Sequence, residues 1–94
     1  MPTANPIKMQ RRRSRNKQLV LTYLSSHPCV DCQEPDPIVL EFDHVRGVKR
    51  DNISELIRSH SLTVLWDEIA KCDVRCANCH RRKTAKDQGW NKAI

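Results

Sequence analysis

The sequence predicts a small, stapled α+β domain, and three observations predict it. First, 94 residues include only four aromatic side chains, Tyr23, Phe42, Trp66 and Trp90, and the mean hydropathy is negative. A chain this short and this poor in large apolar groups buries a thin core and needs a staple. Second, its five cysteines include two CxxC pairs, Cys29–Cys32 and Cys76–Cys79, with 43 residues between them. Third, one run rich in β-branched residues, IVLEF at 38–42, stands among segments of helical period.

Taken in order, residues 1–7 hold two prolines and no periodic pattern, so a flexible arm is expected there. A helix is expected over Lys8–Ser25, with Leu19, Val20, Tyr23 and Leu24 as its apolar stripe, ended by Pro28 at or before His27. CVDC makes a turn, QEPDP a proline-rich loop and IVLEF a strand. DHVRGVKRD follows as a loop. Asn52 is placed to N-cap the next helix, with Glu55 three residues on. LTVLWDEIAKC reads as a further helix with Leu62, Leu65, Trp66 and Ile69 on one face. DVR is short, and a strand there would pair back on IVLEF. CHRRKTAKDQ reads as a closing helix that ends at Gly89. The expected organisation is a basic N-terminal segment over 1–17, the domain proper over 18–88 and a tail over 89–94.

The net charge is +6, and it is unevenly spread: +6 over residues 1–17, −4 over 18–79 and +4 over 80–94. Basic ends predict a polyanionic partner. An acidic centre in such a protein is explained if some of its carboxylates hold a cation. The run Arg11, Arg12, Arg13 and Arg15 is read as a phosphate-contacting arm rather than a solvated tail. Residues 1–13 contain no apolar run of the signal-peptide kind, and no stretch approaches the length of a membrane span, so a cytoplasmic protein without a membrane partner is expected.

In the cytosol, closely spaced cysteine pairs bind metal more often than they form disulfides. Each CxxC turn brings two thiolates to one side. Cys29, Cys32, Cys76 and Cys79 together supply the tetrahedral shell of a structural zinc. Cys72, at the end of the apolar helix, is read as a small buried hydrophobe.

Asp43 and His44 sit side by side just after the strand, and His80 directly follows Cys79. If extended backbone persists through Asp43 and His44, their side chains point to opposite sides. The clip brings residue 79 near residues 29–32, six residues before the strand, so Asp43 and His80 can meet. Asp43 and His80 could then hold a Mg²⁺ or Mn²⁺ ion with positions open for phosphate and water. Histidine changes charge nearest neutrality, which suits His44 to take a proton from water. Arg81, Arg82 and Lys83 would lie on the first turns of the closing helix as phosphate clamps, with Arg46 adding to the basic set.

With these residues in view, CVDC…LEFDHVRG…CANCHRRKT resembles the HNH endonuclease family in its four-cysteine branch. The tail EIAKCDVRCANCHRRKT is similar to small HNH proteins of phage and bacterial genomes, which would place a phage-encoded protein in the bacterial host cell. The resemblance covers about residues 29–84. It implies a ββα-metal fold with extra helices between the strand and the second CxxC. It implies that Asp43 and His80 bind the nuclease metal, that His44 is the general base, and that the substrate is DNA. The family's loop-orienting asparagine has no evident counterpart: the chain reads AKCD there, Asn78 lies inside the CxxC turn, and Asn52 lies at the expected helix cap. One such site cuts one strand, so a double-strand break would need a homodimer or two visits. The competing readings are a non-catalytic zinc module that binds DNA or RNA through its basic ends, and a docking domain that uses Trp66 and the Leu62–Ile69 face.

Overall fold

The computed structural model of the chain describes residues 6–90. Helix α1 spans Pro6–Ser25. The arm expected over 1–7 lies outside the described residues as far as residue 5. Pro6 and Ile7 already belong to α1, because proline is tolerated in a helix's first turn. Helix α1 runs without a break across residue 17. Val20 and Leu24 are buried, whereas Ile7 through Arg15 are exposed.

After a loop that carries the first CxxC, Asp36 caps a single 3-10 turn, Pro37–Val39, by accepting from the Ile38 N–H. The strand therefore begins later than the β-branched run suggests. Strand β1 is Leu40–His44, so extended backbone does persist through Asp43 and His44. Helix α2 is Ile53–Ser59 and α3 is Leu62–Ile69. Asn52 is the N-cap of α2 but makes no side-chain cap bond, while the Ser61 hydroxyl caps α3 at the Val64 N–H.

Helix α3 stops at Ile69, short of the expected end at Cys72. Cys72 instead opens strand β2, Cys72–Cys76, which pairs antiparallel with β1 from Leu40 opposite Cys76 to His44 opposite Cys72. Helix α4, Ala77–Gln88, starts inside the second CxxC and ends at Gly89 in the left-handed conformation (φ 67°). The helix thus starts two residues before the expected Cys79, and His80 is its fourth residue.

The two faces of this two-stranded sheet have different jobs. Leu40, Phe42, Cys72 and Val74 meet the core made by Val20, Leu24, Ile53, Leu56, Leu65 and Ile69. Tyr23 bridges Phe42 and Trp66, at ring-centroid distances of 6.0 and 5.7 Å. Trp66 packs on this core, as do Leu62 and Val64, so the Leu62–Ile69 face is largely used in folding. The opposite sheet face carries Glu41, Asp43, Asp73 and Arg75, and from it Glu41 and Asp43 meet His80 and Lys83 of α4. Sheet polarity alternates because side chains alternate.

Candidate metal centre and hydrolytic cleft

The sulfurs of Cys29, Cys32, Cys76 and Cys79 all lie within 4.8 Å of one another. The Cys32 and Cys76 sulfurs are 3.7 Å apart. A tetrahedron with metal–sulfur bonds of about 2.3 Å has edges of about 3.8 Å, so the four cysteines fit one tetrahedral ion such as zinc. The local backbone shapes the site. The Val30 N–H donates to the Val74 carbonyl at 2.9 Å, which ties the first CxxC to β2. Gln33 adopts φ 67° to close the first turn. The Cys79 N–H donates to Cys76 Sγ at 3.4 Å.

Thiol chemistry in the cluster is divided. Burial pushes the Cys29 thiol up, but backbone N–H groups of Cys76, Cys32 and Asp31 outweigh it and bring its pKa down to about 6. Hydrogen bonding with Cys76, then burial, pushes Cys79 up to about 12. Four sulfurs this close cannot all be thiolates unless a cation sits among them. Cys72 stands apart from the cluster. It is buried, its Sγ donates to the Glu68 carbonyl at 3.5 Å, and burial lifts its pKa to about 11. It is the small buried hydrophobe expected.

Beside the clip, Asp43, His44 and His80 line one cleft of about 830 Å³, whose other wall includes Lys49, Asn52 and Ser54. Asp43 is buried at 7 % exposure. Its Oδ1 lies 3.5 Å from His80 Nε2, and its Oδ2 accepts from Arg75 Nη1 at 2.8 Å. Lys83 Nζ approaches the same Oδ2 at 3.4 Å. His80 Nδ1 is 2.8 Å from Glu41 Oε1. Two donor atoms on an ion at about 2.1 Å each and at right angles lie about 3.0 Å apart, so Oδ1 and Nε2 need little movement to share one.

His44 lies on the other side of the strand, as the alternation requires. Its Nε2 is 3.0 Å from Glu68 Oε2. Asp43 and His44 nevertheless border the same cleft, because they end the strand at its rim.

Of the basic residues expected to bind phosphate, Arg11, Arg12 and Arg13 are exposed along α1, and Arg15 donates to Asn16 Oδ1 at 3.1 Å. Arg81 and Arg82 are exposed on α4, and the Arg81 guanidinium lies 5.9 Å from the Trp90 ring centroid. The Arg46 guanidinium is already engaged: it donates to the Ala70 and Cys72 carbonyls at 2.8 and 3.1 Å and pairs with Asp73.

Arg75, Glu68 and Glu41 are residues of the site that are not among those expected from the sequence. Arg75 links Asp31, Asp43 and Asp73 across the sheet. Glu68 is buried at 1 % exposure behind His44. A signal for Glu68 exists: it falls three residues after Leu65 and one before Ile69, on the apolar stripe of its helix, where an acid has to be paired.

No family model matches the chain, and neither the curated proteins nor the solved structures yield a match. No described helix is long and apolar enough to cross a membrane.

Proposed function

We propose that the chain is a divalent-metal-dependent DNA endonuclease on a ββα-metal frame of the HNH type, with a structural zinc on Cys29, Cys32, Cys76 and Cys79. One observation carries the reading: Asp43 Oδ1 faces His80 Nε2 at 3.5 Å in a cleft that His44 also borders. The succession of β1, β2 and α4 beside the cysteine cluster supports the same frame.

A Mg²⁺ or Mn²⁺ ion held by Asp43 and His80 would supply charge neutralisation at the scissile phosphate and its leaving oxygen. The chain's own groups do the rest. Arg75 holds Asp43 through Oδ2 and leaves Oδ1 toward His80. Glu41 fixes the His80 ring through Nδ1 and so presents Nε2. His44 accepts a proton from a water in the cleft. Lys83 stands beside Asp43 where a phosphate oxygen would arrive, and the arginines of α1 and α4 contact the flanking backbone. Contacts of that kind bind DNA without reading its sequence.

The test is plasmid nicking with Mg²⁺ or Mn²⁺ by wild type and His44→Ala side by side. Wild type is expected to nick, and the variant to lose about 10²-fold or more in rate while it keeps zinc and DNA binding. The pairing of Asp43 with Arg75 and Lys83 is also what a purely structural carboxylate would show. A wild type that binds DNA but cuts nothing with any divalent ion would therefore leave the non-catalytic zinc module as the function.

A further inference from the structure

Glu68 is buried in contact with His44, and its contacts extend beyond that ring. Oε2 lies 3.0 Å from His44 Nε2 and also accepts the Arg50 backbone N–H at 2.8 Å. Oε1 accepts from Lys71 Nζ at 2.8 Å, and the same ammonium donates to the Val48 carbonyl at 2.7 Å. One carboxylate on α3 therefore grips the histidine at the end of β1 and, directly and through Lys71, two points of the loop that forms the cleft's other wall. All four contacts join segments 18 to 24 residues apart or bridge through Lys71.

We propose that Glu68 is the positioning residue of the cleft: it fixes the His44 ring with Nε2 protonated, so that Nδ1 is the nitrogen offered to the cleft, and with Lys71 it holds residues 48–50 at a set distance from that nitrogen. An ionised carboxylate only accepts, so Nε2 must donate whether the ring is neutral or charged. Among the described residues, Nδ1 has no hydrogen-bond partner. A ring that is free to flip would present either nitrogen, and a loop free to drift would change the width of the cleft. Neither Glu68 nor Lys71 lies among the residues that would touch metal or phosphate, so their part is to orient. The proposal rests on the reading of His44 as the base, but its first measurement does not depend on cleavage.

That measurement is the tautomer of His44 in the zinc-loaded full chain, read from long-range ¹H–¹⁵N couplings at about pH 8.5, above the usual imidazole range. The expected wild-type spectrum is the Nε2–H form alone. Glu68→Gln is expected to give mixed tautomers, and to lower the turnover of plasmid nicking by about 10- to 100-fold with KM for DNA little changed, the scale on which ring-orienting partners act. A wild-type Nδ1–H form or a mixture overturns the proposal, and this holds even if Glu68→Gln fails to fold. An unchanged tautomer in a folded, zinc-loaded Glu68→Gln overturns it too. A wild type with the expected tautomer and no cleavage would refute the nuclease reading and leave the ring clamp standing.

Discussion

At the scale of single residues, Glu68 must stay charged in the place least suited to charge. Burial pushes its pKa up, but the Lys71 ammonium, the Arg50 N–H and His44 outweigh burial and hold it down at about 2, against an ordinary value of 4.5. A lowered carboxylate pKa contributes stability that is full above about 4.5 and is lost as pH falls through about 2. Glu68→Gln removes that contribution. Glu68→Gln should therefore lower the urea midpoint of the zinc-loaded chain at neutral pH, above both values, where the cysteines still hold zinc. An unchanged midpoint there would mean the charge of Glu68 adds nothing beyond its shape. The cleft's other residues divide differently. Asp43→Asn and His80→Ala should raise the Mg²⁺ or Mn²⁺ concentration needed for half-maximal nicking, with zinc content per chain unchanged. A loss of zinc with either would tie that residue to the clip instead.

At the scale of elements, α1 has two halves with different duties. Its C-terminal half is docked by Asn16, which is fully buried and whose Nδ2 donates to the Ile57 and His60 carbonyls, both at 3.1 Å, at the end of α2. Asn16→Ala strips both carbonyls of their donor and should cost about 1–3 kcal/mol in denaturant unfolding. The N-terminal half projects its arginines to solvent. Deleting residues 1–13 spares Asn16 and removes Lys8, Arg11, Arg12 and Arg13. If these touch phosphates, the slope of log affinity against log salt should fall by about 0.9 for each phosphate no longer neutralised, and an unchanged slope would make the segment a solvated tail. These elements also differ in how legible they are in the sequence. Helical period reveals α1 and α3, Gly89 marks the end of α4, and cysteine spacing reveals the cluster, because all of these are local patterns. Strand β1 begins two residues later than its side chains suggest: Val39 has the look of a strand residue, but Asp36 and Pro37 commit it to a 3-10 turn. Helix α3 is shorter than its apolar spacing suggests, because Cys72 continues that spacing yet pairs with His44 across the sheet. The roles of Arg75 and Glu68 are hidden for a common reason. Their partners Asp43 and His44 lie 32 and 24 residues away, and no local pattern records such a meeting.

At the scale of the whole molecule, the two cysteine pairs join the parts that the cleft needs. The first pair follows α1 and precedes β1; the second ends β2 and opens α4. Holding four sulfurs within 4.8 Å therefore fixes β1 against β2 and α4, which places Asp43 opposite His80. The apolar core alone is small, and it offers nothing to seat α4, whose buried residue is Cys79 alone. If zinc occupies the cluster, its binding energy is folding energy for the β1–β2–α4 unit. Elemental analysis should then find one zinc per chain. A strong chelator should remove it together with most of the far-ultraviolet circular dichroism, and Cys29→Ser or Cys79→Ser should do the same without a chelator. Nicking should vanish in step with the zinc. Excess Mg²⁺ should fail to restore it, because an ion on Asp43 and His80 cannot bring those two residues together when α4 is loose. Readdition of one equivalent of zinc should restore both fold and cleavage. A zinc-free chain that keeps its circular dichroism would show that the apolar core suffices, and that the cysteines are a site carried by the fold rather than the fold's support.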